Sequence, residues 1–289
     1  MFNYSKTAIF LLLFLPISCN PKKKESKIEK NESLFEKGRI ISTIKGKKIK
    51  EASGLVSSIL NAGMFWTHND SGADAKLFLI DQEGTVHLKV ILAEAKSVDW
   101  EDIAIHESNL FIADIGDNNA NRADITIYKI KEPKWDSVKT QLTLNSFEQM
   151  SLKYAEGPRD AESLLFDHHT QELIIVTKRE KNCHLYSFPF KANSDPISII
   201  SKGTLPMTLF TAGDIHPFTG EILLKNYKKI YYWGSSESPA VVRIAAGPDY
   251  TLPYKEEPQG EAIAWTNEGF VTLSERKEKK QKFYFYARK

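Results

Sequence analysis

Five times along the chain a short polar start leads into an apolar run: Ser53-Gly54-Leu55, Trp100-Glu101-Asp102-Ile103, Glu162-Ser163-Leu164, Gly213-Asp214-Ile215 and Glu261-Ala262-Ile263. Each is followed by a second run, Met64-Phe65-Trp66, Leu110-Phe111-Ile112, Leu173-Ile174-Ile175, Ile222-Leu223-Leu224 and Phe270-Val271-Thr272. These are apolar enough for strands buried on both faces. A third run is β-branched and aromatic, as in Leu77-Phe78-Leu79, Ile125-Thr126-Ile127, Leu185-Tyr186, Ile230-Tyr231-Tyr232 and Phe283-Tyr284-Phe285, the composition of half-buried strands. Weaker outer strands are predicted near residues 86–92, 140–153, 197–202 and 240–245. A four-stranded unit repeating every roughly 50 residues is the period of a propeller blade.

The predicted fold is therefore all-β, a five-bladed β-propeller, with six blades the alternative. The last unit reaches the C-terminus without an outer strand. Residues 38–44, Gly-Arg-Ile-Ile-Ser-Thr-Ile, supply one from the other end of the chain and close the ring. Closure removes exposed strand edges.

The 289 residues are 42% hydrophobic and 26% charged, enough for one large β domain. The formal net charge of +2 gives no electrostatic footprint for nucleic acid, and none is expected as a partner. At the N-terminus Lys6 precedes an apolar run from Ala8 to Leu15, and Pro16-Ile17-Ser18-Cys19 follows. The run is too short to span a bilayer and reads as an export signal. The segment resembles the lipobox of bacterial lipoproteins, with Pro16 where the motif usually has Leu. That resemblance implies residues 1–18 as signal peptide, a lipidated Cys19, and a place in the bacterial cell envelope on the periplasmic or cell-surface side. An ordinary secretory signal with an incidental Cys19 is the alternative. Residues 19–37 are Lys/Glu-rich and read as a disordered tether, so that 38–289 form the propeller. With only two cysteines, Cys19 and Cys183, no disulfide framework supports the fold, which is expected to be monomeric.

In a propeller the start of the innermost strand and the end of the second lie on one face. The polar residues at both places are therefore predicted to converge there: Ser53, Asp99, Glu101, Asp102, Asp160, Glu162, Asp214 and Glu261 from the inner strands, and His68, Asp70, Asp114, Asp117, Lys178, Arg179, Lys225, Glu275 and Arg276 from the second. So many carboxylates about one axis repel unless a cation neutralises them. Oxygen donors without clustered His or Cys favour Ca2+, with Mg2+ the alternative.

Ser53-Gly54-Leu55, Trp100-Glu101, Glu162-Ser163 and Gly260-Glu261-Ala262-Ile263-Ala264 resemble the inner-strand motifs of the calcium-activated nucleotidases. Those are secreted five-bladed propellers with an axial calcium held by Ser and Glu of successive blades. The arrangement is more loosely similar to phytase-like, gluconolactonase-like and paraoxonase-like propellers. The resemblance implies Ser53, Glu101, Glu162 and Glu261 as metal ligands. The fourth blade departs, with Gly213 at the aligned place and Asp214 beside it.

Two functions follow as alternatives. One is a calcium-dependent hydrolase of a phosphoester, lactone or other anionic ester, in which His68, Asp70 or Asp117 transfers protons and Lys178, Arg179, Lys225 and Arg276 form a cationic arc for the substrate. The other is a non-catalytic binding propeller with a structural metal. Each motif also has a plain structural reading: the inner-strand carboxylates can cap amides of the next blade, Asp70 and Asp117 sit in ordinary turn sequences, and Lys and Arg are commonly solvated.

Overall fold

The computed structural model describes Met1 and residues 34–70, 72, 74–275 and 281–289. A closing strand β1 (Arg39–Thr43) precedes the first blade, β2 (Ala52–Ser57), β3 (Met64–Asn69), β4 (Lys76–Asp81) and β5 (Val86–Leu92). The second blade contains β6 (Trp100–His106), β7 (Asn109–Asp114) and β8 (Ile125–Lys131); after the short β9 (Gln141–Leu144) it adds β10 (Glu148–Tyr154). The third has β11 (Ala161–Asp167), β12 (Glu172–Thr177), β13 (Cys183–Phe188) and, beyond β14 (Ile197–Ile199), β15 (Gly203–Leu205). The fourth has β16 (Phe210–Ile215), β17 (Ile222–Asn226), β18 (Ile230–Trp233) and, after helix α1 (Ala240–Ala246), β19 (Tyr250–Leu252). The fifth has β20 (Gly260–Thr266), β21 (Gly269–Ser274) and β22 (Lys282–Ala287).

These form five sheets, and β1 completes the last by pairing antiparallel to β22, with Arg39 opposite Phe285 and Thr43 opposite Lys282. The molecule is a five-bladed β-propeller closed by its N-terminal strand. Five apolar clusters fill the five gaps between adjacent blades, such as Leu164, Ile175 and Tyr186 of the third blade against Ala113, Phe111 and Ile127 of the second. The inner strands β2, β6, β11, β16 and β20 are buried along nearly their whole length, so each blade is held by both neighbours.

Three predicted outer strands differ. Residues 140–153 divide into β9 and β10; β10 is the fourth strand of its own blade, whereas β9 runs parallel to β5 and covers the edge of the first. In residues 197–202 only β14 is a strand, and it lies parallel to β10 on the edge of the second blade, leaving β15 as outer strand of the third. Residues 240–245 lie in α1: Ala240 and Ile244, four positions apart, are its buried residues, Pro239 precedes it, and Gly247 at φ 96° ends it. That spacing is the helical period, and the outer strand of this blade is instead β19. The folded domain also begins earlier than residue 38. Phe35 is fully buried against Tyr232, Trp265 and Phe270, with ring centroids 5.1–6.1 Å away. The predicted signal segment, Cys19 and Arg276 lie outside the described residues.

Candidate metal centre

Every inner strand carries one extra residue against its partner at the same height. The irregularities fall at Gly54, Glu101, Glu162, Thr211 and Glu261. A bulge twists the strand and re-aims the extra side chain. Glu101, Glu162 and Glu261 are 3–4% exposed. In the first blade the bulged residue is Gly54 at φ 69°, and His68 fills the space beside it, with Nε2 2.7 Å from where a Cβ would stand. In the fourth the equivalent residue is Thr211, two places before the Gly213 that the sequence alignment selected.

Around these strands the acidic side chains gather at the mouth where the inner strands begin. Three groups have carboxylate oxygens mutually within 4.8 Å: Asp70 with Asp99 and Glu101, Asp70 with Glu261 and Glu275, and Glu101 with Asp160 and Glu162. Asp70 and Glu101 are each shared by two groups. Burial raises the Glu101 carboxyl well above its ordinary range, and Asp70 and Asp99 push it further. Burial followed by repulsion from Asp160 raises Asp99. Burial and a hydrogen bond with Glu261 raise Glu275 to about 8. Asp70 and Glu275 are the half-exposed members of the mouth, whereas Asp99, Glu101, Asp160, Glu162 and Glu261 are buried.

The cations predicted as a substrate arc are turned inward. Lys178 Nζ donates to Glu162 Oε1 and, at 3.1 Å, to Tyr227 Oη, while Tyr227 donates to Glu261 Oε1 at 2.8 Å. Lys225 is fully buried; it donates to the Gly260 carbonyl and to Thr211 Oγ1 at 3.1 Å, and burial brings its ammonium down to about 8. Arg179 is exposed, yet it donates to Asp160 Oδ2 at 2.5 Å and to Asn118.

The remaining predicted residues divide. Ser53 donates to the Glu101 carbonyl at 2.6 Å, which ties the first two inner strands together. Asp214 stands apart from the three acidic groups: its Oδ2 accepts from the Trp265 amide at 2.8 Å, and burial raises its carboxyl to about 7. Asp102, fully buried, likewise accepts from the amides of Ile103, Leu164 and Gly213. These two carboxylates perform the amide-capping role, spanning neighbouring blades. Asp117 accepts from the Arg122 amide at 2.8 Å, while its own amide donates to Asp160 at 2.9 Å, so it braces the mouth from behind. His68 is fully buried, edge-on to Trp100 with centroids 5.6 Å apart, and burial lowers its imidazole to about 4.

The donor set fits a hard divalent cation. It is made of oxygens, and Glu162 Oε2 is buried without a hydrogen-bond partner. An orphaned carboxylate oxygen beside other carboxylates is the complement of a missing positive charge. Sequence reasoning placed Asp99, Asp160 and Glu275 at this mouth without naming them as ligands. Thr211 and Tyr227 it missed; Thr211 stands six residues before the turn that follows its strand, the offset of Glu101, Glu162 and Glu261, and that count would have found it.

No family model matches the chain, and no curated protein does. Among solved structures it is similar to a crystal structure of a nidogen/laminin complex, with 11% identity, a TM-score of 0.44, and 83% of this chain and 84% of that chain covered. No helix among the described residues is long and apolar enough to cross a membrane.

Proposed function

We propose that this chain is an exported, lipid-anchored propeller whose carboxylate mouth holds a divalent cation, calcium before magnesium, and presents it to an anionic small molecule. The observation that carries the reading is the triple of carboxylate groups sharing Asp70 and Glu101. Asp70, Asp99, Glu101, Glu162, Glu261 and Glu275 would hold the ion. Calcium accepts many oxygens in flexible geometry, whereas magnesium demands a near-ideal octahedron, and an irregular ring of carboxylates suits the former. When bound, the ion supplies charge neutralisation and a Lewis acid for a phosphoryl or ester oxygen. Because Lys178 and Lys225 are buried and occupied within the channel, anion recognition falls to the ion and to Arg179 rather than to a separate arc.

Hydrolysis of an anionic ester is the second reading, favoured by the half-exposed Asp70 and Glu275, which leave the mouth open to water. Of the three residues predicted for proton transfer, Asp70 is the one in the carboxylate groups. His68 lies sealed behind Gly54.

Lys289 N donates to the Leu34 carbonyl and Phe35 pairs with Arg288, so the tether would join the domain at the end of β22, on the face opposite the acidic mouth.

Calorimetry of the full-length protein with Ca2+, Mg2+ and Mn2+, followed by a calcium-dependent activity screen over nucleotides, sugar phosphates, phytate and lactones, tests the site. Calcium binding that is lost in Glu101→Gln supports it, and absence of binding by all three ions at millimolar concentration rejects it. Turnover of one substrate class decides for the enzyme, and binding without turnover for the binding module. Cys19→Ala should leave the membrane fraction; unchanged partitioning of a correctly cleaved variant rejects the anchor.

A further inference from the structure

At the opposite mouth the chemistry changes from oxygen to nitrogen. His106 ends β6, and His168 and His216 directly follow β11 and β16. His106 Nδ1 and His168 Nδ1 face each other at 2.9 Å across the boundary of the second and third blades. Both rings are held: His106 stacks on Phe166, with centroids 4.3 Å apart and planes 8° from parallel, and His168 packs on Phe166 with centroids 5.4 Å apart. The His106 side chain is only 16% exposed.

Two nitrogens each about 2.0–2.1 Å from one ion lie about 2.9 Å apart when cis in a square-planar or octahedral set, and about 3.3 Å apart in a tetrahedral one. The observed separation matches the cis pair, and the two nitrogens share a hydrogen bond at that distance when no ion is bound. We infer that His106 and His168 form a second metal site, chemically distinct from the carboxylate mouth, which takes a nitrogen-seeking ion of tetragonal preference such as Cu2+, with water in the remaining positions. The protons balance without a co-reactant. In the neutral pair one Nδ1 carries the shared proton; on binding, that ring moves its proton to Nε2 and both Nδ1 lone pairs go to the ion. For His106 the Nε2, 3.9 Å from the exposed Glu107 carboxylate, is the ring nitrogen left to take that proton. A bond from the second ring nitrogen to backbone or carboxylate is what orients metal-binding histidines elsewhere.

The test is a Cu2+ titration of the full-length protein in millimolar calcium, which fills the acidic mouth, read by electron paramagnetic resonance and by melting temperature. One equivalent with two coordinated nitrogens, and a melting temperature raised by stapling two blades, is the expected result. His106→Gln and His168→Gln should each lower affinity at least tenfold and remove one nitrogen from the spectrum, whereas Glu162→Gln, which alters only the acidic mouth, should retain both nitrogens. A wild-type spectrum with no nitrogen coordination overturns the proposal even if the variants misfold. So does an affinity untouched by both histidine variants. Preference for Zn2+ with Cu2+ bound weakly would also overturn it, since the 2.9 Å separation would then be only that of an imidazole hydrogen bond.

Discussion

Lys178 and Glu162 are bonded to each other inside the channel, each about one-twentieth exposed, and Glu162 keeps a second oxygen with no partner. One ammonium thus answers part of an acidic ring that Glu101, Asp160 and Glu261 overload. Removing one member of a buried pair leaves the other uncompensated and costs about 3–5 kcal/mol. Lys178→Met should therefore destabilise the protein strongly in chelator, and much of the loss should return with calcium, since the ion replaces the missing charge. Urea denaturation with and without calcium checks this. Equal destabilisation in both conditions would place Lys178 outside the reach of the ion.

Buried carboxylates inside and outside the ring also set a pH dependence. Glu275 of the ring rises to about 8, and away from it burial raises Glu257, bonded to Thr272, and Asp214 to about 7 each. The folded state holds these protons more tightly than the unfolded chain, so stability falls as pH rises through that range. Burial lowers His68 and His168 to about 4, which acts in the opposite sense, since stability is lost as pH falls from about 6.5. Between about pH 6.5 and 8 the three raised carboxylates outweigh Lys225, whose ammonium, lowered to about 8, acts in the opposite sense at the top of the window. Without a divalent cation the melting temperature should decline across that window, and saturating calcium should reduce the slope by the share that Glu275 sets. A cation-free protein whose stability rises from pH 6.5 to 8 would contradict the account.

Much of this was legible in the sequence because the blade repeat imposes its own register. The five inner strands, the five second strands and the closing strand all carry apolar runs long enough to read, and the bulge carboxylates Glu101, Glu162 and Glu261 stand at the same place in each. The outer strands were harder. In the third and fourth blades they pair with a single strand and are weakly patterned: β15 and β19 are three residues each, and α1 offered an apolar segment with the wrong period. The fourth blade was misaligned because Thr211 has no charge to announce it. The inward turn of Lys178 and Lys225 could not be read at all, since a lysine in an apolar strand end looks the same whether it faces solvent or a buried acid.

Gly116 links the loop after β7 to the site. A Cβ there would stand 2.2 Å from Glu101 Oε1 and 2.4 Å from Asp99 Oδ2. Its amide donates to the Asp99 carbonyl at 3.1 Å, so the loop cannot easily retreat. Gly116→Ala should displace both carboxylates and weaken calcium at least tenfold, while the fold, judged by circular dichroism, persists. Unaltered calcium affinity in a folded variant would show that Asp99 and Glu101 do not hold the ion.

The last expectation concerns where the domain begins. Phe35 is wholly buried between the fourth and fifth blades, and Arg288 lies over its ring at 5.0 Å. Deleting a buried phenylalanine side chain typically costs about 3–5 kcal/mol, through lost transfer energy and the cavity left behind. Phe35→Ala should therefore lower stability by roughly that amount, although the residue lies outside every blade strand. A chain starting at residue 34 should melt near the full-length protein, whereas one starting at residue 37 should match or fall below Phe35→Ala. The blade that both ends of the chain share should be the first to exchange its amide hydrogens in the shorter chain. Identical melting temperatures for the two truncations would mean that Phe35 packs without stabilising, and that ring closure rests on the pairing of β1 with β22 alone.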